Sequence, residues 1–444
     1  MSEGVTPATP VDSIRGRIMT ATVVGNYMEW FDFAVYGFFA TTIGRVFFPA
    51  TNETTSLLAS LAVFGVAFLF RPLGAVLFGT LGDRAGRRAA LSAAIIVMSV
   101  STTLIAALPS YATVGLLAPI LLVVLRSIQG LSVGGEWTGA GTYLVEYAPA
   151  GRRGRWASLI SATAALGFMT GSLIALGLNS WLTPEALEAW GWRVPFLVAA
   201  PLGVAGLYVR LKLQDTPVFR ELEQADRVAK SPLRSVGRNN TKEVGLAFII
   251  SGLAGLGVYY LATYMVNYLS ETAGFVPTRA ILITAGGLLV YALLCPLAGM
   301  LSDRIGRRPT YLLGCLGHLV FAVPIFLLLG IENAAVAFLG LCVFGLSQAA
   351  LNVMSSVVVV ELFPAATRLT GTSVGHNLGL AVVSGSGPLV AAWLVSVTGA
   401  SIAPAIYLAV LALLGGLILF RYLPETLRTS LGEEPTVAEP ARHG

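Results

Sequence analysis

Gly79-Thr80-Leu81-Gly82-Asp83-Arg84-Ala85-Gly86-Arg87-Arg88 returns 220 positions later as Gly299-Met300-Leu301-Ser302-Asp303-Arg304-Ile305-Gly306-Arg307-Arg308, in a chain of 444 residues. Both copies read G-x-L-x-D-R-x-G-R-R. An offset close to half the chain marks a duplication of the whole architecture and not a local repeat. Each copy is a short charged knot between two long apolar runs, so the two knots are equivalent turns in two equivalent halves.

Working outward, hydrophobic residues make up 55% of the chain and charged residues 11%, against about 25% charged in soluble domains. So few charges cannot clothe a water-facing surface, and runs of roughly 20 apolar residues point to lipid. Twelve such runs are read at 18–44, 57–81, 89–109, 114–146, 156–180, 194–213, 244–270, 280–301, 309–330, 333–362, 369–398 and 402–423. Lipid offers the backbone no hydrogen-bond partners, so each run is expected to be helical. The expected fold is an all-α membrane protein: twelve transmembrane helices in two pseudo-symmetric six-helix bundles, 18–213 and 244–423. A cytoplasmic segment at 1–17 precedes them, a cytoplasmic linker at 214–243 joins them, and a disordered cytoplasmic tail is expected at 424–444.

The net charge of +5 and pI near 9.2 read as topology and not as a nucleic-acid footprint, because the basic residues sit in short loops. Of the 28 Lys+Arg, only Arg45, Arg193 and Arg279 fall in loops on one side, and Arg71 and Arg126 lie inside spans. The rest gather on the other side, which places both termini and both knots in the cytoplasm of a multi-pass cell-membrane protein. The first apolar run is a full span, so no cleavable signal peptide is expected. Cys295, Cys315 and Cys342 lie in apolar stretches without metal-type spacing and read as packing residues. No metal cluster, nucleophile–base arrangement or G-x-x-x-x-G-K-[ST] loop is legible, so no enzyme, cofactor or nucleotide-driven pump is expected.

Other echoes follow the duplication. Glu146-Tyr147-Ala148-Pro149 ends span four and Glu361-Leu362-Phe363-Pro364 ends span ten, each followed by arginine; Asp215-Thr216 follows span six and Glu425-Thr426 follows span twelve. With the doubled knot between spans two and three and again between eight and nine, the chain resembles the major facilitator superfamily over about residues 18–426. Gly25-Asn26-Tyr27-Met28-Glu29-Trp30-Phe31-Asp32-Phe33, Phe70-Arg71-Pro72-Leu73-Gly74 and Trp190-Gly191-Trp192-Arg193-Val194-Pro195-Phe196 are similar to its metabolite:proton symporter family. Gly134-Gly135-Glu136-Trp137-Thr138-Gly139-Ala140 and Tyr259-Tyr260 with Thr263-Tyr264-Met265 look most like the proline/betaine symporters within it. That resemblance implies proton-coupled import of a small zwitterionic osmolyte by alternating access. Some of those symporters carry a long C-terminal coiled coil, of which no heptad pattern is present here.

An aspartate at the cytoplasmic end of a helix can meet the positive end of a neighbouring helix and nearby arginines. Asp83, Arg84, Arg87, Arg88 and Glu146, with Asp303, Arg304, Arg307, Arg308 and Glu361, are therefore expected to form a cytoplasmic gate that breaks when the carrier opens inward. Ionisable groups inside spans are costly and usually functional. Glu29 and Asp32 on span one, and Glu136 on span four, are expected to handle protons beside Arg71 and Arg126. Arg126 and Glu136 share one helix face about 15 Å apart in depth. Burial favours a neutral carboxyl and a nearby Arg favours the charged one, so such a network is switchable. His376, Asn377 and His318 are expected in helix-to-helix hydrogen bonds.

For the solute, Tyr260, Tyr264 and Asn267 share a face of span seven by i, i+4, i+7 spacing. With Asn26, Trp30, Tyr36 and Trp137 they are expected to line a cavity; aromatic faces attract quaternary ammonium groups, while Arg71 or Arg126 holds a carboxylate. Tyr268 and Tyr259 are read as an interface belt. Two buried arginines also suit a di- or tricarboxylate such as 2-oxoglutarate or citrate. A facilitator without proton coupling, or a solute sensor that does not transport, would share the same general pattern. The expected partners are a small solute, protons and the bilayer, with the chain a monomer.

Overall fold

The computed structural model describes residues 10–50, 52–212 and 214–432. The long helices are labelled here in chain order: α1 Pro10–Phe38, α2 Glu53–Ala85, α3 Arg87–Ala107, α4 Leu117–Tyr147, α5 Arg153–Trp181, α6 Pro184–Leu211, α7 Thr241–Thr272, α8 Pro277–Ile305, α9 Arg307–Leu329, α10 Ala334–Glu361, α11 Ala365–Thr398 and α12 Ala403–Tyr422. Eleven helices, α2 to α12, are long and apolar enough to cross a membrane among the described residues. α1, which carries Glu29 and Asp32, precedes them. Leu69, Val204 and Leu389, each at least 70% exposed, stand on the outer faces, where lipid and not water would meet them.

The two knots turn the chain in the same way. Gly86 and Gly306 have φ of 101° and 107°, a conformation costly for any residue with a Cβ. Each lets the chain leave one helix and start the next within a single residue. The glycines of α4 bring it against α2: a Cβ on Gly134 would sit 2.2 Å from the Arg71 carbonyl oxygen, so only the bare backbone fits, as small residues permit at membrane helix contacts.

Two pairs of helices hold the halves together: α2 packs on α11 and α5 packs on α8. These pairs are related by the duplication. The linker stretch carries two short helices, Pro217–Gln224 and Pro232–Asn239, which bury Val218, Phe219, Leu222 and Val236. Part of the tail expected to be disordered is held in place. The carbonyl oxygens of Thr429 and Leu431 accept from Arg153 (2.7 Å) and Arg368 (2.8 Å), and Leu431 is buried. Polar composition alone does not reveal these arginine partners. Residues 433–444 of that tail and 1–9 of the N-terminal segment lie outside the described residues.

Candidate functional site

The knots build a matching pair of caps at one end of the two halves. Asp83 accepts from the backbone N–H groups of Leu369 (3.1 Å) and Thr370 (2.8 Å), in the first turns of α11. Asp303 accepts from those of Gly154 (2.8 Å) and Arg155 (2.9 Å), at the start of α5. Each carboxylate thus caps a helix of the opposite half, where unpaired N–H groups and the helix dipole favour an anion.

Behind each cap lies a matching charge cluster. Arg87 meets Asp83 at 3.0 Å and Glu146 at 3.5 Å; Arg307 meets Asp303 at 2.8 Å and Glu361 at 3.2 Å. Glu146 pairs across the halves with Arg368 (2.8 Å), and Glu361 with Arg153 (3.4 Å). Thr216 donates to Glu146 and Thr426 to Glu361. Asp215 and Glu425 accept from the first N–H groups of α3 and α9. Burial pushes the Asp215 carboxyl up from its ordinary range, against the opposing pull of those amides and Arg87. Arg88 donates to the Leu211 carbonyl and Arg308 to that of Phe420, so these two tie helices within their own halves. Arg84 and Arg304 depart from the expected gate: both are exposed and form no bond or ion pair among the described residues. They follow the aspartate by one position, which turns them off the buried face. Arg153 and Arg368 are the members of these clusters that sequence reasoning misses, since each reads as a loop charge.

In the N-terminal bundle, three acids are each paired with a different arginine. Arg126 donates to Asp32 (2.8 Å) and to Gln129 (2.8 Å), and Gln129 donates to Asp32 (3.1 Å) and Thr102 (2.6 Å). The Arg126 guanidinium also lies 3.8 Å from the centre of the Tyr36 ring. Glu136 does not use Arg71 or Arg126. It is gripped at both oxygens by Arg210 of α6, a residue whose position in the chain suggests only a topology charge beside the linker. Gly25 leaves the room for that pair: a Cβ there would lie 2.1 Å from Arg210 Nη2. Among the described residues Glu29 has only Arg71, at 3.5 Å, with no hydrogen bond at either carboxylate oxygen. Arg71 rests over Phe33 and Phe68, 4.6 and 4.7 Å from their ring centres.

Where the halves meet lies a cavity of about 20 Å³, room for about one water. Trp30, Trp137 and Phe168 line it from one half, and Tyr291, Asn352 and His376 from the other. Trp30 and Trp137 meet edge to face at 5.9 Å. His376 stacks flat on Trp137 at 5.7 Å, with Nδ1 2.9 Å from Ser251 Oγ. His318 meets Gln348 at 3.0 Å, and Asn377 donates to the Gly134 carbonyl at 2.8 Å. Arg71 lies behind this wall: Tyr259 meets Trp30 at a tilt (6.1 Å) and Phe68 edge to face (5.8 Å), with Arg71 and Glu29 beside its phenol.

Several expected solute contacts lie elsewhere. Asn26 donates to the Ile160 carbonyl (2.7 Å) and Thr163 (2.9 Å), tying α1 to α5. Tyr36 donates to the Ser60 carbonyl (3.2 Å). Tyr260 and Tyr264 pack on Phe326 inside the C-terminal bundle, and Asn267 is exposed. Tyr268 is buried and donates to the Phe326 carbonyl (3.1 Å), so it is no interface belt. The reason is helical register. Tyr260–Tyr264 and Tyr268–Thr272 are π-helical, and each widened turn shifts the facing that a 3.6-residue period assumes. Tyr259, expected in the belt, is the tyrosine that reaches Trp30. The residue types along α7 carry no signal for this shift.

A two-fold repeated helical bundle with a central aromatic cavity and ion-paired clusters where its halves meet defines a secondary transporter. Similarity to known proteins gives its lineage. The family described as the Major Facilitator Superfamily matches residues 23–376 and 247–442, and the chain belongs to it. The chain is 37% identical to the glycine betaine/proline/ectoine/pipecolic acid transporter of Dickeya dadantii, over 95% of this chain and 86% of that one. It is 37% identical to the proline/betaine transporter of Escherichia coli K12, over 90% and 81%. It is 34% identical to the ectoine/proline transporter of Corynebacterium glutamicum, over 96% and 88%. In fold it resembles the proton:xylose symporter XylE bound to 6-bromo-6-deoxy-D-glucose, with a TM-score of 0.77 at 19% identity, over 95% and 98% of the two chains.

Proposed function

We propose that this chain is a proton-coupled symporter that imports a small zwitterionic osmolyte of the proline or betaine type, rocking its two six-helix halves about the central cavity. The observation that carries this reading is the make-up of the cavity wall: Trp30, Trp137 and Phe168 face it, and Arg71 stands behind Tyr259 and His376. Aromatic faces accept a methylated or ring ammonium that has shed its water, and a guanidinium takes the carboxylate at the other end. The relatives named for proline, betaine and ectoine transport support the same class of solute. A dicarboxylate solute needs two available arginines, and Arg126 is already held by Asp32 and Gln129.

The latch and the small cavity support a carrier closed to the cytoplasm. Asp83, Asp303, Arg87, Arg307, Glu146 and Glu361 act as the inner gate, and their caps must be released for solute to leave. The group that binds the transported proton belongs to the acid cluster of Glu29, Asp32 and Glu136. The chain works as a monomer in the cell membrane with both termini in the cytoplasm, a placement that the distribution of basic residues supports.

Uptake into proteoliposomes, with labelled proline, betaine, 2-oxoglutarate, citrate and shikimate at two external pH values, tests the reading. Accumulation of proline or betaine driven by an inward proton gradient is expected. Selective dicarboxylate uptake, or uptake indifferent to the gradient, overturns it.

A further inference from the structure

Of the three acids Glu29, Asp32 and Glu136, two are saturated. Asp32 is bonded at both oxygens by Arg126 and Gln129, and Glu136 at both by Arg210. Glu29 differs. Both of its oxygens are buried without a hydrogen bond, and Nε and Nη2 of Arg71 lack one too, although the two groups are 3.5 Å apart. Buried ionic groups left in this state are costly, and such a pair exchanges partners easily. It also adjoins the cavity wall through Tyr259, which meets Trp30 and has both groups beside its phenol.

Resting on the solute reading above, we propose that Arg71 is a shared guanidinium: the solute's carboxylate takes it from Glu29, and the released Glu29 takes up the transported proton. The balance is simple. The Glu29–Arg71 ion pair breaks, an Arg71–carboxylate pair forms, and one O–H bond forms on Glu29 with a proton from water on the outer side. After the inner gate opens, the solute leaves, the proton passes to cytoplasmic water and the original pair returns. One solute and one proton thus compete for the two members of a single ion pair.

The surroundings leave Glu29 no substitute partner. Around it stand Arg71 from α2, Glu136 from α4 with its own Arg210, Asp32 from the same helix with its own Arg126, and Tyr259 from α7; His376 from α11 faces Arg71. Both remaining arginines are already engaged by carboxylates. An unpaired carboxylate among aromatic rings and two further acids is stabilised by accepting a proton. Asp32 and Glu136 then position helices and set this field, and neither carries the proton.

The test is proton uptake on solute binding by the purified full-length chain in weakly buffered detergent solution. The probes are proline, glycine betaine, 2-oxoglutarate and citrate, and bound solute is counted in parallel. The wild type is expected to take up close to one proton per bound carboxylate solute. Glu29→Gln is expected to bind solute with no uptake and to exchange it across proteoliposomes, while losing gradient-driven accumulation. Glu29→Asp is expected to restore uptake, which separates lost chemistry from lost folding. Arg71→Lys, which lacks the planar fork, is expected to weaken binding of every carboxylate probe at least tenfold. Uptake that persists in Glu29→Gln overturns the shared-guanidinium proposal. Binding of dicarboxylates alone overturns the solute reading but still tests the exchange by the same proton count. Failure to bind any probe overturns both.

Discussion

Asp83 and Asp303 hold the same post in the two halves: each reaches across the interface to cap a helix of the opposite bundle with two backbone hydrogen bonds of 2.8–3.1 Å. Each also keeps an arginine four residues along its own chain, Arg87 or Arg307. The caps hold α2 to α11 and α8 to α5 only while the cytoplasmic ends are together. In the proposed latch they contribute to one conformation of the carrier and are released in the other, which is how a latch biases a two-state equilibrium.

Asp83→Asn removes the charge while keeping the shape. A hydrogen bond to a charged group contributes about 1.5–3 kcal/mol, so losing about 2 kcal/mol moves the closed-to-open ratio roughly thirtyfold. Spin-label distances between the cytoplasmic ends of α2 and α11 are expected to lengthen in a larger fraction of molecules. The variant inserts normally and its uptake falls sharply. Full uptake by well-expressed Asp83→Asn protein contradicts the latch.

Glu136 and Arg210 form a fully buried pair beneath Gly25. Removing one partner strands the other, at a cost of about 3–5 kcal/mol, whereas replacing both with apolar residues costs less. Thermal unfolding in detergent is expected to show Glu136→Gln and Arg210→Met each strongly destabilised. The double variant Glu136→Leu with Arg210→Met is expected to lie above both.

Relocating the solute wall changes which aromatic substitutions matter. Cation–π contacts in a dry site contribute about 2 kcal/mol, so Trp137→Leu is expected to raise the apparent KM for betaine by at least tenfold. Tyr264→Phe and Asn267→Ala, whose side chains lie away from the cavity, are expected to change it less than twofold. Initial-rate uptake measures both.

The stretch 424–432 straps the closed gate from beneath, because Thr429 and Leu431 give their carbonyls to an arginine from each half. Removing residues 429–444 leaves Arg153 and Arg368 without those carbonyl partners. The inner gate is expected to open more often, seen as faster alkylation of cysteines introduced on the cytoplasmic side of the cavity. Leu431→Asp is expected to do the same without shortening the chain. Unchanged labelling in both variants means the strap contributes nothing to closure.

The sequence by itself determined the class, the duplication and most of the residues that meet in the two charge clusters. Apolar run length requires helices, because lipid cannot satisfy a bare backbone. The spacing of the two knots requires two like halves, and the pairs Asp215-Thr216 and Glu425-Thr426 already mark the residues that finish each gate cluster. Only the tertiary structure decided the pairings. Arg210, Arg153 and Arg368 find their acids across distant chain positions, and loop-like surroundings conceal them. The π-helical turns of α7 took Tyr264 and Asn267 off the face that a regular 3.6-residue period gives them, since a one-residue change in register rotates every side chain that follows and leaves no trace in the residue types. Glu29 and Asp32, three residues apart on one helix, are indistinguishable as written. Packing gave one of them a full set of hydrogen bonds and left the other with a single loose partner, because the depth and angle of each neighbouring helix, and not the acid itself, set what a buried carboxylate can reach.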